Sequence, residues 1–306
     1  MSWKPIIVGV DTSPASAQAA SFAALLAERA GTACQLVHAT PDAIGSLQAP
    51  DANRYRFALL EQARAQVVAA LRDRVSAKLL DQLTVRLGAT PVVLRQLVST
   101  LGAELIVLGG KHHSALGRWF GGSTSLNTAR TTDVPVLVTT GATAQIRRVL
   151  VAVDLSEAAR ATLVVAERYA AAFGAALRAL SVLEPLPIIP EVAPPADAES
   201  YYAMAEELLQ RDVWPLLRGA GVETVVRYGM AVETILREAV DWSADLLVVG
   251  SHGKGWAERL LVGSVTERLL NALPTALLVV PVRVAQRVEE AERARAPEWS
   301  PMVALA

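Results

Sequence analysis

The chain repeats itself. Leu105-Ile106-Val107-Leu108-Gly109 returns as Leu246-Leu247-Val248-Val249-Gly250, and Gly122-Ser123 returns as Gly263-Ser264, each 141 positions further on. Val85-Arg86-Leu87-Gly88 and Val226-Arg227-Tyr228-Gly229 keep that spacing, while Val8-Gly9-Val10-Asp11 and Val151-Ala152-Val153-Asp154 stand 143 apart. Solenoid repeats run about 20–50 residues, so a period this long means two duplicated domains. A chain of 306 residues has room for both, each with its own core. The expected division is 1–142 and 147–283, joined by a linker at 141–147 and followed by a charged tail, 284–306.

Each half reads as short apolar strands alternating with helices. In the first half the strands fall at 6–10, 35–40, 84–87, 104–108 and 135–139. Ser13 or Ser16 caps a helix running to 29, and further helices cover 53–80, 92–101 and 123–130. The second half follows with strands 149–153, 177–182, 224–227, 246–249 and 276–280, and helices 157–173, 198–217, 232–241 and 264–273. Strands that are apolar almost throughout belong to parallel sheets covered on both faces. Right-handed crossovers then give an α/β fold of two tandem doubly wound five-stranded parallel-sheet domains. Residues 184–200, with Pro185, Pro187, Pro190, Pro194 and Pro195, read as an irregular loop. It either covers a ligand at the strand ends or is an insertion. The tail reads as a short solvated helix.

Net charge is −1, so no overall basic field recruits nucleic acid or anionic lipid. Cys34 is the one cysteine; on an expected strand it reads as a buried structural thiol. The apolar run after Pro5 is too short for a secretory core. No uncharged apolar stretch reaches the ~18 residues of a membrane span. The expectation is a cytoplasmic chain.

Chemistry concentrates where the fourth strand of the second half ends. Gly250-Ser251-His252-Gly253 is followed, after nine residues, by Gly263-Ser264, which opens a helix. Glycines let a backbone approach a ligand closely, and a helix start presents unpaired N–H groups to an anion. Asp154 stands at the end of the first strand of the same half and Val182 at the end of the second. In open parallel sheets such ends are where ligands bind. Each feature also has a plain structural reading: Asp154-Leu155-Ser156 suits a helix N-terminus, the glycines suit turns, and Ser264 suits a cap. Lys254 and Arg259 read as solvated, and His252 as a loop histidine without a ligand cluster around it.

These residues carry a resemblance to the universal stress protein family, whose nucleotide-binding members show G-x2-G-x9-G-[S/T] after the fourth strand. Val149-Leu150-Val151-Ala152-Val153-Asp154-Leu155-Ser156-Glu157 is similar to that family's opening strand. The resemblance covers nearly the whole chain, once per half, and implies the adenine nucleotide alpha hydrolase-like fold. It implies that Ala152, Asp154 and Val182 hold adenine and that Val249 and Gly250 line the ribose side. Gly253, Gly263, Ser264 and Val265 then surround the phosphates of ATP or another adenine nucleotide, with Mg²⁺ sharing the charge. There is no G-x4-G-K-[S/T] string, so vigorous hydrolysis is not implied.

The first half departs from the pattern. It keeps Asp11, Gly109, Gly122, Ser123 and Thr124, has Ala39 in place of Val182, and puts His112 where the second half has Gly253. The imidazole either obstructs the phosphates or, with His113 and Lys111, points cations at them; extra freedom comes from Gly121. Weaker binding is expected there. A His112–His113 metal site is not, because no cysteine or carboxylate ligands stand nearby.

In this family single domains pair through their last strands, so 135–139 and 276–280 are expected to meet within the chain as a pseudo-dimer. A further homodimer and the protein partners stay open. No nucleophile–base pair or carboxylate dyad is evident. The expected role is a stress-response sensor or regulatory adaptor that binds ATP. The alternatives are a slow ATPase or autophosphorylating protein acting through Ser264, Ser123 or Thr124, and a nucleotide-free interaction scaffold.

Overall fold

The duplicated apolar runs become ten strands of one sheet in the computed structural model. The structure describes residues 3–42, 52–113, 118–120, 122–141, 145–185, 198–219, 221–251, 262–281 and 284; of 111–113, 118–120, 122–123 and 198 it describes the backbone alone. The first half contains β1 (Ile6–Gly9), α1 (Pro14–Ala30), β2 (Cys34–Thr40), α2 (Ala52–Leu71), α3 (Ala77–Asp81) and β3 (Thr84–Leu87). Then come α4 (Thr90–Leu101), β4 (Leu105–Gly109), a hairpin of β5 (Lys111–His113) and β6 (Arg118–Phe120), α5 (Gly122–Thr131) and β7 (Val136–Thr139). The second half contains β8 (Arg148–Ala152), α6 (Ala158–Phe173), β9 (Ala176–Leu183), α7 (Ala198–Leu208) and β10 (Glu223–Tyr228). It closes with α8 (Ala231–Asp241), β11 (Leu246–Gly250), α9 (Ser264–Ala272) and β12 (Ala276–Val280).

The sheet order is β10-β9-β8-β11-β12-β7-β4-β1-β2-β3. Each half is thus a doubly wound parallel sheet, with strand order reversing beside its first strand: β8 lies between β9 and β11, and β1 between β2 and β4. The expected fold class holds. The two sheets join where β12 pairs β7 antiparallel, Leu277 with Val138, Leu278 with Leu137 and Val279 with Val136. The last strands therefore meet within the chain, and every residue of both is buried. Pairing them removes two apolar edges that would otherwise template aggregation.

Strand residues alternate between two cores. Val149 and Val151 of β8 face a cluster with Leu163 and Ala166 of α6; Leu150 and Ala152 face one with Val232, Ile235 and Leu269. Side chains also join the halves on both faces. Arg168 of α6 holds Glu104 with two hydrogen bonds, 2.7 and 3.0 Å, and its guanidinium lies 4.0 Å from the centre of the Trp3 ring. On the opposite face Arg130 of α5 meets Glu267 of α9 at 3.0 Å.

Local chemistry sets the helix boundaries. The Ser13 hydroxyl accepts the Ser16 N–H, Pro14 occupies the first turn, and Gly31 ends α1 at φ 62°. Two expected helices are corrected. The helix expected over 53–80 is two, because the Ser76 hydroxyl accepts the Leu79 N–H and starts α3 anew. The helix expected over 198–217 ends as α7 at Leu208, followed by a π turn, Leu209–Val213, and a 3-10 turn, Trp214–Leu216. Pro215 has no N–H to extend an α-helical ladder. The β5–β6 hairpin was not expected at all. Residues 186–197 of the proline-rich loop, 142–144 of the linker and the tail apart from Val284 lie outside the described residues.

Candidate functional site at the carboxyl ends of β8 and β11

The reversal of strand order in the second half leaves a crevice between the carboxyl ends of β8 and β11. A cavity of about 480 Å³ occupies it, a volume in the range of small-molecule sites. Ala152, Asp154, Val182, Val249, Gly250, Gly263, Ser264 and Val265 all line it. The structure therefore brings together eight of the nine second-half residues picked out by the sequence. The ninth, Gly253, lies outside the described residues, as do His252, Lys254 and Arg259.

One wall is the start of α9, and here a reading is corrected. Gly263, not Ser264, is the N-cap, with no side-chain cap hydrogen bond; Ser264 is the first helical residue. The first intrahelical bond runs from Glu267 N–H to Gly263 O at 2.9 Å, so helix geometry gives no acceptor to the N–H groups of Ser264, Val265 and Thr266. The Gly263 N–H is already spent on Ser251 O, at 2.8 Å, which ties the start of α9 to the residue after β11. Gly263 has φ −59° and ψ 150°, angles open to any residue, so its value here is lack of bulk, not backbone freedom.

Thr266 was missed by sequence reasoning. It lines the cavity, is buried, and donates its hydroxyl to Gly250 O at 2.7 Å, fixing the first turn of α9 to the end of β11. A Ser or Thr in the first turn after a strand-end glycine is the signal that was available for it.

The opposite end carries carboxylates. Asp154 Oδ1 accepts the Ser156 N–H at 3.1 Å, shaping the turn before α6; α6 itself starts after Glu157, which makes no side-chain cap bond. Asp154 is therefore not that helix's cap. Ser156 Oγ, in a residue lining the cavity, is buried without a hydrogen-bond partner, and an orphaned buried hydroxyl calls for an acceptor or donor. Glu184 also lines the cavity, and its Oε1 accepts the Ala231 N–H at the start of α8, at 2.8 Å. The rest of the lining is largely apolar, with Ile235, Ala159 and Val182 among its residues, and it includes Tyr201 of α7. Positive helix-end dipole after β11, carboxylates after β8 and β9 and a largely apolar lining suit an elongated guest with an anionic tail and a flat, amino-bearing head.

In the first half, Asp11 follows β1 and Gly109 ends the adjacent β4, so both reach the same edge of the sheet, beside Ala39 of β2. Gly122, Ser123 and Thr124 open α5, with Thr124 exposed. The Asp11 carboxylate is engaged locally, accepting the Ser13 N–H at 2.9 Å and the Ser13 hydroxyl at 2.5 Å. Gly109 lies against α1: a Cβ there would come within 2.6 Å of the Ala15 carbonyl group. His112 sits in β5, paired with Trp119, so the stretch that is a loop in the motif is hairpin here. Gly121 lies outside the described residues.

Cys34 is half-buried, and burial pushes its thiol up to about 12, as fits a structural thiol. Among the described residues no helix is long and apolar enough to cross a membrane.

Comparison with known proteins agrees with this architecture. The model of the universal stress protein family matches residues 2–140 and again 145–281. A universal stress protein of Mycolicibacterium smegmatis is 29% identical over 293 residues, spanning 91% of this chain and 97% of its own. The crystal structure of a universal stress protein from Archaeoglobus fulgidus superposes with a TM-score of 0.61 at 17% identity, covering 90% of this chain and 98% of its own, a likeness of fold. Another universal stress protein, 24% identical over 45% of this chain with a TM-score of 0.28 and 97% of its own length covered, was solved in complex with cAMP. Two successive family matches over two copies of one doubly wound domain lead to one conclusion: the chain belongs to the universal stress protein family.

Proposed function

We propose that the second half binds an adenine nucleotide, ATP by preference, in the cavity between β8 and β11, and that the chain acts in the cytoplasm as a sensor or regulatory adaptor. The observation that carries the reading is the cavity itself: about 480 Å³, lined by eight of the residues picked out by the sequence, among them Gly263, Ser264 and Val265 at the start of α9. The phosphates lie against the N–H groups of Ser264, Val265 and Thr266 and the Ser264 hydroxyl. Mg²⁺ shares their charge. The base lies toward Ala152, Val182 and the carboxylates of Asp154 and Glu184, whose oxygens accept hydrogen bonds from its amino group. Binding is weaker in the first half, where Asp11 is committed to Ser13 and the β5–β6 hairpin takes the place of the phosphate loop. The chain divides for this purpose into 1–142, 147–283 and the tail 284–306.

Titration of nucleotide-stripped protein with ATP and Mg²⁺ by calorimetry tests the proposal. One strong site per chain is expected, and mass spectrometry of what freshly purified protein releases identifies the native ligand. A flat trace favours the nucleotide-free scaffold. The Ser264 hydroxyl at the phosphate end also supports a second reading, slow autophosphorylation. Covalent label from γ-labelled ATP that disappears in Ser264→Ala would support it, and intact, exchangeable ATP would support the sensor.

A further inference from the structure

We propose that Tyr201 is the stacking platform for the base of the bound nucleotide; this rests on the nucleotide reading above. Tyr201 lies in the first turn of α7 and is the one aromatic side chain among the described residues lining the cavity. Tyr202, next to it, packs on Tyr228 of β10, the register partner of Leu183 in β9. Tyr201 therefore lies on the β9–β10 side of the cavity with Glu184, away from β11 and the α9 start that follows it. A planar heterocycle with an amino edge belongs on that side. Its neighbour Tyr202 packs against the core cluster that includes α6, whereas Tyr201 packs on neither core. Tyr201 is half-buried and lines the cavity.

The ring is propped in place. Its centre lies 5.5 Å from that of Tyr202 at an interplanar angle of 57°. Tyr202 in turn meets Tyr228 of β10 edge-on, at 4.9 Å and 74°. The Tyr228 hydroxyl donates to Glu206, one turn along α7 from Tyr202, so the row of rings is tied back to its own helix. A platform held this way loses little conformational freedom when a base settles on it. Stacking of a base on an aromatic ring is sequence-tolerant because every base has a π-face. Discrimination for adenine then falls to the carboxylates of Asp154 and Glu184.

The test is calorimetric titration of the full chain and of Tyr201→Phe, Tyr201→Leu and Tyr201→Ala with ATP and Mg²⁺, each with its unliganded thermal midpoint. Tyr201→Phe should match the parent chain. Tyr201→Ala and Tyr201→Leu should both bind about tenfold more weakly, in line with the loss of one stacked base, with midpoints unchanged. Retained affinity in Tyr201→Ala overturns the proposal, and so does full affinity in Tyr201→Leu, which keeps apolar bulk without a π-face. A parent chain that binds no ATP overturns the nucleotide reading itself, and the stacking proposal with it.

Discussion

Leu137 and Leu278 pair with each other at the centre of the ten-stranded sheet, and they are equivalent residues, 141 positions apart in the duplicated sequence. A residue that meets its own counterpart lies on a two-fold axis. The flanking pairs obey the same symmetry: Val138 meets Leu277 and Val136 meets Val279, while Leu277 and Val279 are themselves the repeats of Val136 and Val138. The contact has the isologous form of a homodimer interface, built within one chain.

Separated halves should therefore seek a replacement. A fragment of residues 145–281 would expose β12, a strand buried along its whole length, as a bare apolar edge. Light scattering on the eluting fragment should show dimers joined edge to edge through β12. A monodisperse monomeric fragment would contradict the account.

Gly263→Val should lose ATP binding while keeping the fold. The backbone there is ordinary, at φ −59°, so valine meets no torsional penalty, but its methyl groups enter the space in front of the first turn of α9. Calorimetry paired with thermal unfolding separates the two effects. A variant that unfolds earlier yet still binds ATP would reverse the assignment.

Thr266→Val removes the hydroxyl that ties α9 to Gly250 O and leaves that part-buried carbonyl without this donor. The expected cost is about 1–2 kcal/mol, the range for a hydrogen bond lost from one side. Urea denaturation reads the loss, and weaker ATP binding should accompany it as the helix start becomes less well placed.

Alkaline pH should loosen the chain through two acids, half-buried Cys34 and buried Tyr169. Burial raises the Cys34 thiol to about 12 from 9.0, and burial first, then nearby Glu104, raises the Tyr169 hydroxyl above its usual range. Both are neutral in the fold, so their contribution is intact below the ordinary thiol value. It is lost as pH climbs from there toward the folded values. Denaturation midpoints should fall steadily above about pH 9, with a shallower fall in Cys34→Ala. At about pH 8, below the ordinary thiol value, Cys34 should resist alkylation in the native chain and react once it is unfolded.

Much of this could be read before the fold was seen, for identifiable reasons. Val248-Val249-Gly250 ends an apolar run at a glycine, and a strand buried on both faces leaves no other placement for it. The pairing of β7 with β12 was implied by the family resemblance, and the cost of two open apolar edges gives its physical reason. Side-chain geometry was harder. Ser264 and Gly263 are adjacent, and which one caps depends on backbone angles, not residue type. Tyr201 resembled any helix residue until the fold brought α7 to the cavity that Val182 and Leu183 of β9 also line. The break at Ser76 was hidden because apolar spacing continues through Val75, Leu79 and Leu80, although a serine before an alanine is a fair helix start. The β5–β6 hairpin is three residues a side and has no apolar alternation to announce it.

The antiparallel seam between β7 and β12 also decides which way the molecule looks. Parallel strands within each half end together, so reversing direction at the seam turns the cavity-bearing rim of one half north and the matching rim of the other south. A partner that docks over the mouth of the β8–β11 cavity gains no view of its twin. Duplication has thus produced two back-to-back faces, free to diverge in what they recognise, and not a bivalent clamp.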